Sequence, residues 1–126
     1  MKTTIRILCS FLYVASVALL GTRLYAADRM SVTSIKPLLM LAIDQGEAHG
    51  QLVGEAATFM RTQFGAASPI EIDVKTLRAL TQPDCKRLEV TTRQNGVRET
   101  PKHALAHKEL VYQVNYCRDG SFPASR

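Results

Sequence analysis

The sequence predicts an α+β domain in which N-terminal helices pack on a small antiparallel sheet that is cross-linked by one disulfide. Three observations predict this class. A strongly helical region follows Pro37, and two later segments alternate between apolar and polar residues. A cysteine stands at the outer end of each alternating segment, Cys85 before the first and Cys117 after the second.

Residues 1–26 have the pattern of an export signal. Lys2 and Arg6 give a basic start, 7–20 is an almost wholly apolar run, and Ala26 is a small residue at a suitable cleavage position. The run spans about fourteen residues, fewer than the roughly twenty that a membrane-crossing helix needs. We therefore predict a signal peptide at 1–26 and a single small periplasmic domain at 27–126. An uncleaved N-terminal anchor is the alternative.

The region 37–64 is predicted to be helical. Pro37 suits the first turn of a helix, and the apolar run 38–43 would be its buried body. Asp44 followed by Glu47 resembles a helix N-cap arrangement at the start of a longer amphipathic segment. Two helices or one bent helix fit equally well. Apolar residues of the second part share one side and are expected to cover the sheet: Val53, Ala56, Met60 and Phe64.

Three glycines repeat at four-residue spacing within this region, at Gly46, Gly50 and Gly54. On a helix they would form a smooth ridge that another backbone can approach closely. We expect the ridge to serve helix packing inside the domain, with a helix or strand of another chain as the alternative.

The sheet is predicted from alternation. Residues 70–74 alternate as a short strand, 77–80 continue as a helix or turn, and Gln82-Pro83-Asp84 forms a turn. Residues 85–92 and 110–117 then read as two half-buried strands. If they run antiparallel with Cys85 opposite Cys117, the same register places apolar residues opposite each other on the inner face, Leu88 with Val114 and Val90 with Tyr112.

Export determines how the cysteines are interpreted. Cys9 would leave with the signal, so the mature chain would hold only Cys85 and Cys117 in a compartment where disulfides persist. We predict that they pair. The bond would contribute on the order of 3 to 4 kcal/mol by restricting the unfolded chain.

The most basic mature segment, 93–109, separates the two strands and is too long for a tight hairpin. Asn95-Gly96 is a strong turn signal within it. A solvated loop is one interpretation, and binding to an acidic protein surface, a phosphate or an anionic lipid is the other. Among these ligands we predict a protein partner. The predicted partner-binding residues are Arg93, Arg98, Lys102, His103, His107 and Lys108.

No pattern of catalytic, metal-binding or cofactor-binding residues predicts an enzyme. His103 and His107 have the spacing of two helical metal ligands, but Ala104 stands where a zinc protease has its glutamate. A metal-dependent hydrolase that also uses His49 is the enzymatic alternative. The chain carries 16 basic and 11 acidic residues, and removal of Lys2, Arg6 and Arg23 with the signal leaves 13 basic residues, a net charge of +2. Charge alone therefore gives no reason to expect nucleic-acid binding.

Four stretches of the chain carry a family resemblance: 50–55, 68–78, 82–90 and 114–123. They resemble small exported proteins encoded with conjugative-transfer and integrative-element genes of Gram-negative bacteria. The resemblance covers about 45–123 and implies a periplasmic role beside a conjugation or type IV secretion apparatus.

Together these observations predict a non-enzymatic periplasmic accessory or interaction protein with a protein partner, no small-molecule substrate and no permanent membrane span. A second hypothesis is a secreted inhibitor or immunity-like protein that binds a periplasmic enzyme through its protruding basic segment.

Overall fold

A computed structural model describes residues 28–124, and the predicted signal peptide lies outside this range. The described chain forms a five-stranded sheet with two helices. Its elements in chain order are β1 (Met30–Val32), α1 (Lys36–Gln45), β2 (Glu47–Leu52), α2 (Glu55–Phe64), β3 (Ile70–Ala79), β4 (Cys85–Val97) and β5 (Ala106–Cys117). The combination of helices, sheet and a Cys85–Cys117 disulfide agrees with the predicted class.

The sheet is mixed rather than antiparallel, which corrects the prediction. Its strand order follows the chain order, and the pairs from β2 to β5 are antiparallel, but β1 pairs with β2 in parallel. The reason is that α1 carries the chain back between β1 and β2, so both strands run in the same direction. The helices are also not N-terminal to the described sheet, because β1 precedes α1 and β2 separates α1 from α2.

The helix α1 provides the central packing. Pro37 lies in its first turn as predicted, and four of its residues are buried, namely Leu38, Leu39, Ala42 and Ile43. They pack in one cluster with inward-facing residues of the sheet, among them Ile72, Val74, Leu88, Val90 and Tyr116. Burial of apolar surface contributes roughly 25 cal/mol per Å², so this cluster favours folding.

The prediction of a long amphipathic helical segment from Asp44 to Phe64 is wrong for the residues before α2. Glu47–Leu52 is a strand that pairs with β1 and β3. Gly46 ends α1 in the left-handed conformation with φ 92°, and its N–H bonds to the Ala42 carbonyl. A left-handed residue at this point turns the chain out of the helix, so the helix does not continue into β2.

The three glycines consequently form no helical ridge, which corrects that prediction. Gly46 caps α1, Gly50 lies in β2, and Gly54 precedes α2 with φ 83°. Close packing does occur, but at a single position: a Cβ added to Gly50 would lie 2.6 Å from Leu38 Cδ1. Gly50 is therefore where α1 rests closely on the sheet.

The helix α2 covers less of the sheet than predicted. Ala57 is its buried residue, whereas Ala56 and Met60 are exposed and Phe64 is only partly buried. Phe59 is 65% exposed. The helix packs against the sheet by a narrow contact and leaves apolar side chains accessible.

The predicted register of the cysteine-bearing strands is confirmed. Cys85 pairs with Cys117, Leu88 with Val114, and Val90 with Tyr112. The two cysteine Cα atoms are 3.9 Å apart and joined by the disulfide. The strands are longer than predicted, so Asn95-Gly96 is not the connecting turn but a register irregularity inside β4, with φ 63° at Gly96. The connection is the shorter loop 98–105.

The strand β3 also continues beyond its predicted end. It runs to Ala79 through an irregularity between Thr76 and Arg78, where we expected a helix or turn. The predicted turn before Cys85 is present, and Asp84 adopts φ 58° in it. Among residues 28–124, no helix is long and apolar enough to cross a bilayer.

Candidate interaction surface

The last strand, β5, forms an edge of the sheet. It is twelve residues long and pairs with β4 on one side, and within residues 28–124 no strand pairs with its other side. Residues 106–113 are all exposed. A long open edge presents unpaired backbone N–H and C=O groups, which can pair with a strand of another chain.

The direction of these backbone groups follows from the disulfide pair. The Cys117 N–H does not face β4 but donates to the Ser121 carbonyl at 2.9 Å. Pairing is continuous from Cys85–Cys117 to Gln94–Lys108, and alternate residues of an antiparallel strand direct their groups to the same side. The backbone groups of Glu109, Val111, Gln113 and Asn115 therefore point to the open edge.

Both faces of β5 carry exposed apolar side chains at its centre. Leu110 is 62% exposed, Val111 50% and Tyr112 41%. Leu110 and Tyr112 lie on the face toward the helices and Val111 on the opposite face, because side chains alternate along a strand. The burial that we predicted for Tyr112 is incomplete, since α1 covers Val114 and Tyr116 but does not extend over the start of β5.

An apolar groove adjoins this edge on the helix side. Its volume is about 370 Å³, and it lies between α2 and the ends of β3, β4 and β5. The residues that matter most for its apolar character are Met60, Phe64, Ile70, Val97 and Leu110. The narrow contact of α2 with the sheet leaves this groove open. Together the outward side of β5 and the groove define what we call the β5 edge surface.

The structure does not bring the six predicted partner-binding residues together as one basic surface. Arg98, Lys102 and His103 are exposed and lie on the loop 98–105. His103 Nδ1 is 2.5 Å from Thr100 Oγ1 in the same loop. The other three residues lie on strands, and the carboxylates of Glu99 and Glu109 offset part of their charge.

Each of these three strand residues has a partner within the chain. Lys108 pairs with Glu99 at 2.8 Å, and His107 Nδ1 is 2.6 Å from Asn95 Oδ1. Arg93 lies on β4, where its Nε donates to Glu109 at 3.1 Å. The pair with Lys108 is also why the pKa of Glu99 is lowered, the hydrogen bond being the largest cause and the lysine charge the next.

A charged cluster that sequence reasoning missed lies on the outer face of the sheet around Asp73. Its carboxylate accepts from Arg29 at 2.8 Å, contacts His49 Nδ1 at 2.7 Å and accepts from Arg93. Burial raises the pKa of Asp73, but hydrogen bonds from Arg29 and His49 and the charges of Arg29 and Arg93 outweigh it and lower the pKa. The only sequence signal was polar alternation in β2 and β3, which places these side chains on one face but does not say that they meet.

The histidines do not form a metal site within the described chain. His49 contacts Asp73 on β2, His103 lies in the loop, and His107 lies on β5 rather than one helical turn away from His103. Among residues 28–124, no group of three or more His, Cys, Asp or Glu side chains is placed to hold a metal ion.

Comparisons with protein-family models, curated proteins and solved structures give no match to this chain.

Proposed function

We propose that this protein is a non-enzymatic interaction protein of the periplasm whose β5 edge accepts a strand from another polypeptide chain. The observation that carries the proposal is the open edge of β5, with apolar side chains exposed on both of its faces. A single exposed apolar residue is ordinary, but natural sheets normally avoid three consecutive exposed apolar residues on a long open edge strand.

Strand addition suits this edge for two reasons. Backbone groups from Glu109 to Asn115 supply hydrogen bonds that are independent of sequence, and alternate side chains supply specificity. The groove beside Leu110 gives an apolar side chain of the added strand a place to pack. Binding would bury Leu110, Val111 and Tyr112, and burial of a large apolar side chain contributes about 1.5 to 3 kcal/mol.

The proposed setting comes from the sequence. The disulfide is compatible with an exported protein, and the resemblance described above implies a conjugative transfer or type IV secretion apparatus. In that setting the protein is an accessory subunit, and the exposed loop with Arg98, Lys102 and His103 is a secondary contact for an acidic protein surface.

A photo-crosslinking amino acid placed at Gln113 in the native Gram-negative host tests this proposal. Gln113 is exposed and its backbone faces the open edge. Lys75, exposed in β3, is the matched control position. We expect adducts to a polypeptide chain from position 113 and few from position 75. Equal adduct yields at the two positions would show that the edge is not the binding surface.

Loss of function provides an independent test. A Val111→Lys variant introduces a charge at the centre of the edge, and we expect it to fail to restore conjugative transfer to a deletion strain. Thr62→Lys on the exposed side of α2 is the control and should restore it. Full transfer without the protein would contradict the proposed setting.

The inhibitor hypothesis is favoured by one specific observation, the full exposure of the loop 98–105. Inhibitors commonly insert a protruding loop into an enzyme cleft. Alanine substitution of Arg98, Lys102 and His103 would abolish such inhibition without unfolding the protein. Under the edge-strand proposal the same substitutions leave the β5 contact intact.

A further inference from the structure

We infer that the strand added to the β5 edge is β5 of a second copy of this chain, so that two sheets join as one ten-stranded sheet about a twofold axis. The inference depends on the proposed function, because it names the occupant of the same edge. It is drawn from the length of the open edge, the direction of its backbone groups and the fit of its side chains to themselves.

The open part of the edge has a defined centre. Toward the C-terminus it ends before Cys117, whose N–H already bonds to Ser121. Toward the N-terminus it ends where β5 begins at Ala106. Val111 lies midway between these limits. Two copies that pair antiparallel over the whole open stretch therefore meet with Val111 on the twofold axis.

The backbone allows this register. Antiparallel strands bond through residues whose groups point at each other, and on the β5 edge these are Glu109, Val111, Gln113 and Asn115. With Val111 on the axis, Val111 bonds to Val111 of the second copy and Glu109 faces Gln113 of that copy. Each outward-pointing residue thus meets an outward-pointing residue.

The side chains on the helix face also match. Leu110 lies opposite Tyr112 of the second copy, and the symmetry repeats this apolar pair on the other side of the axis. Tyr112 of the second copy then lies next to the groove that Leu110 lines. Lys108 lies opposite Val114, where its alkyl chain can cover the valine while its ammonium group stays with Glu99.

The outer face gives polar pairs of compatible chemistry. Gln113 Oε1 accepts from Arg87 Nε at 2.8 Å in its own chain. Its amide nitrogen is then the group that can donate to Glu109 of the second copy, and Glu109 also accepts from Arg93. At the axis, Val111 packs against Val111 of the second copy. No like charges face each other in this register.

Neighbouring registers fit less well. An axis at Leu110 places Glu109 opposite Val111, and an axis at Tyr112 places Gln113 opposite Val111. Each puts a polar side chain against the central apolar one, and the first brings a carboxylate there. The side chains therefore select the same register as the limits of the edge.

The first experiment measures the mass of the exported, oxidised protein by light scattering and sedimentation over a range of concentrations. We expect a dimer for the wild type and for Val111→Thr, which keeps a β-branched residue at the axis. Val111→Lys would place two like charges directly opposite each other and weaken self-association by about tenfold or more. Because Val111 is half exposed, all three proteins should fold equally well.

The second experiment fixes the register with cysteines. In the proposed dimer, Val111→Cys places two thiols across a hydrogen-bonded pair with Cα atoms about 5.5 Å apart, within the range for a disulfide. Gln113→Cys, on the same face of the same strand, places its two thiols about 13 Å apart along the strands. We expect a covalent dimer from Val111→Cys and little from Gln113→Cys. Intact mass establishes that the Cys85–Cys117 bond is retained in both.

Three results would overturn the inference: a wild-type monomer at every concentration, a dimer that Val111→Lys does not weaken, or equal cross-linking by the two cysteine variants. Photo-crosslinks from Gln113 to a different protein, with the wild type monomeric, would leave the proposed function in place and reject only the second copy as occupant. Absence of any adduct at that position would reject both.

Discussion

Gly50 shows how one residue sets the distance between a helix and the sheet. It lies in β2 directly under Leu38 of α1, a fully buried side chain. An added Cβ would come within 2.6 Å and 2.8 Å of the two Leu38 methyl carbons. Because Leu38 is enclosed by the core, it cannot move aside freely. The absence of a side chain at Gly50 therefore permits Leu38 of α1 to lie close against β2.

We expect Gly50→Ala to lower the free energy of unfolding by about 1 to 3 kcal/mol, the usual cost of overpacking. Chemical denaturation measures the change. A Gly50→Ala/Leu38→Val double variant should recover part of the loss relative to Leu38→Val alone, because the shorter side chain makes room for the new methyl group. Additive effects of the two substitutions would contradict this account.

Asp73 is the second residue whose role depends on its neighbours. Its ionised form is held by Arg29, His49 and Arg93, which come from the segment before β1, from β2 and from β4. Since the pKa of Asp73 is lower in the folded than in the unfolded protein, its ionisation stabilises the fold above its ordinary pKa of 3.8. That contribution is lost as the pH falls from this value toward the lower folded pKa.

We expect Asp73→Asn to destabilise the protein by about 1 to 2 kcal/mol at neutral pH, because charge-assisted hydrogen bonds are lost. The difference from the wild type should shrink as the pH falls below about 4. Urea denaturation at several pH values measures it. Glu71→Gln is the control, since Glu71 is more exposed and makes one 3.4 Å contact with Arg29; it should change stability by less than about 0.5 kcal/mol. A pH-independent effect of Asp73→Asn would contradict the assignment.

At the scale of elements, the β4–β5 pair holds the C-terminal half of the fold together. The disulfide joins residues 32 positions apart and fixes the pair at the end that α1 covers. The other end of the pair extends past α1, where residues 106–113 remain exposed. The β4–β5 pair therefore has one end that is buried and cross-linked and another that is exposed. The exposed end contributes to the β5 edge surface.

We expect the Cys85→Ala/Cys117→Ala variant to lose about 2 to 5 kcal/mol of stability, the usual cost of removing a native disulfide from a small domain. Denaturation of the wild type with and without a reducing agent measures the same loss without substitution. The variant itself should be insensitive to the reducing agent. Reduction that leaves the wild-type midpoint unchanged would show that the bond contributes little.

At the scale of the whole molecule, one face of the sheet is covered by helices and the other is a polar surface organised around Asp73. The strand β1, at one edge, has only three residues, whereas β5, at the opposite edge, has twelve. This asymmetry makes β5 the edge suited to pairing. Assembly through β5 leaves the loop 98–105 and the outer polar face accessible to further partners.

Self-association also predicts a property of the whole molecule. If dissociation of the dimer is coupled to unfolding, the midpoint of thermal unfolding should rise with protein concentration for the wild type. It should stay constant for Val111→Lys. Scanning calorimetry at concentrations spanning two orders of magnitude would measure it. A midpoint independent of concentration for both proteins would argue against a dimer linked to folding.

The sequence by itself determined the features with local or covalent origin. Residues 85–92 and 110–117 alternate between apolar and polar residues, and each segment has a cysteine at its outer end. Only one register pairs the cysteines and keeps the apolar side chains on one face, because a shift by one residue would move every side chain to the opposite face. Proline and a compact apolar run likewise determined the start and the buried body of α1.

Only the tertiary structure decided that Glu47–Leu52 is a strand. The six residues of this strand alternate only weakly between apolar and polar, and the four-residue spacing of the glycines favoured a helix. The strand is stabilised instead by hydrogen bonds to β1 and β3. The Asp73 cluster and the open edge of β5 depend in the same way on strand order, which is set by contacts between residues far apart in the chain.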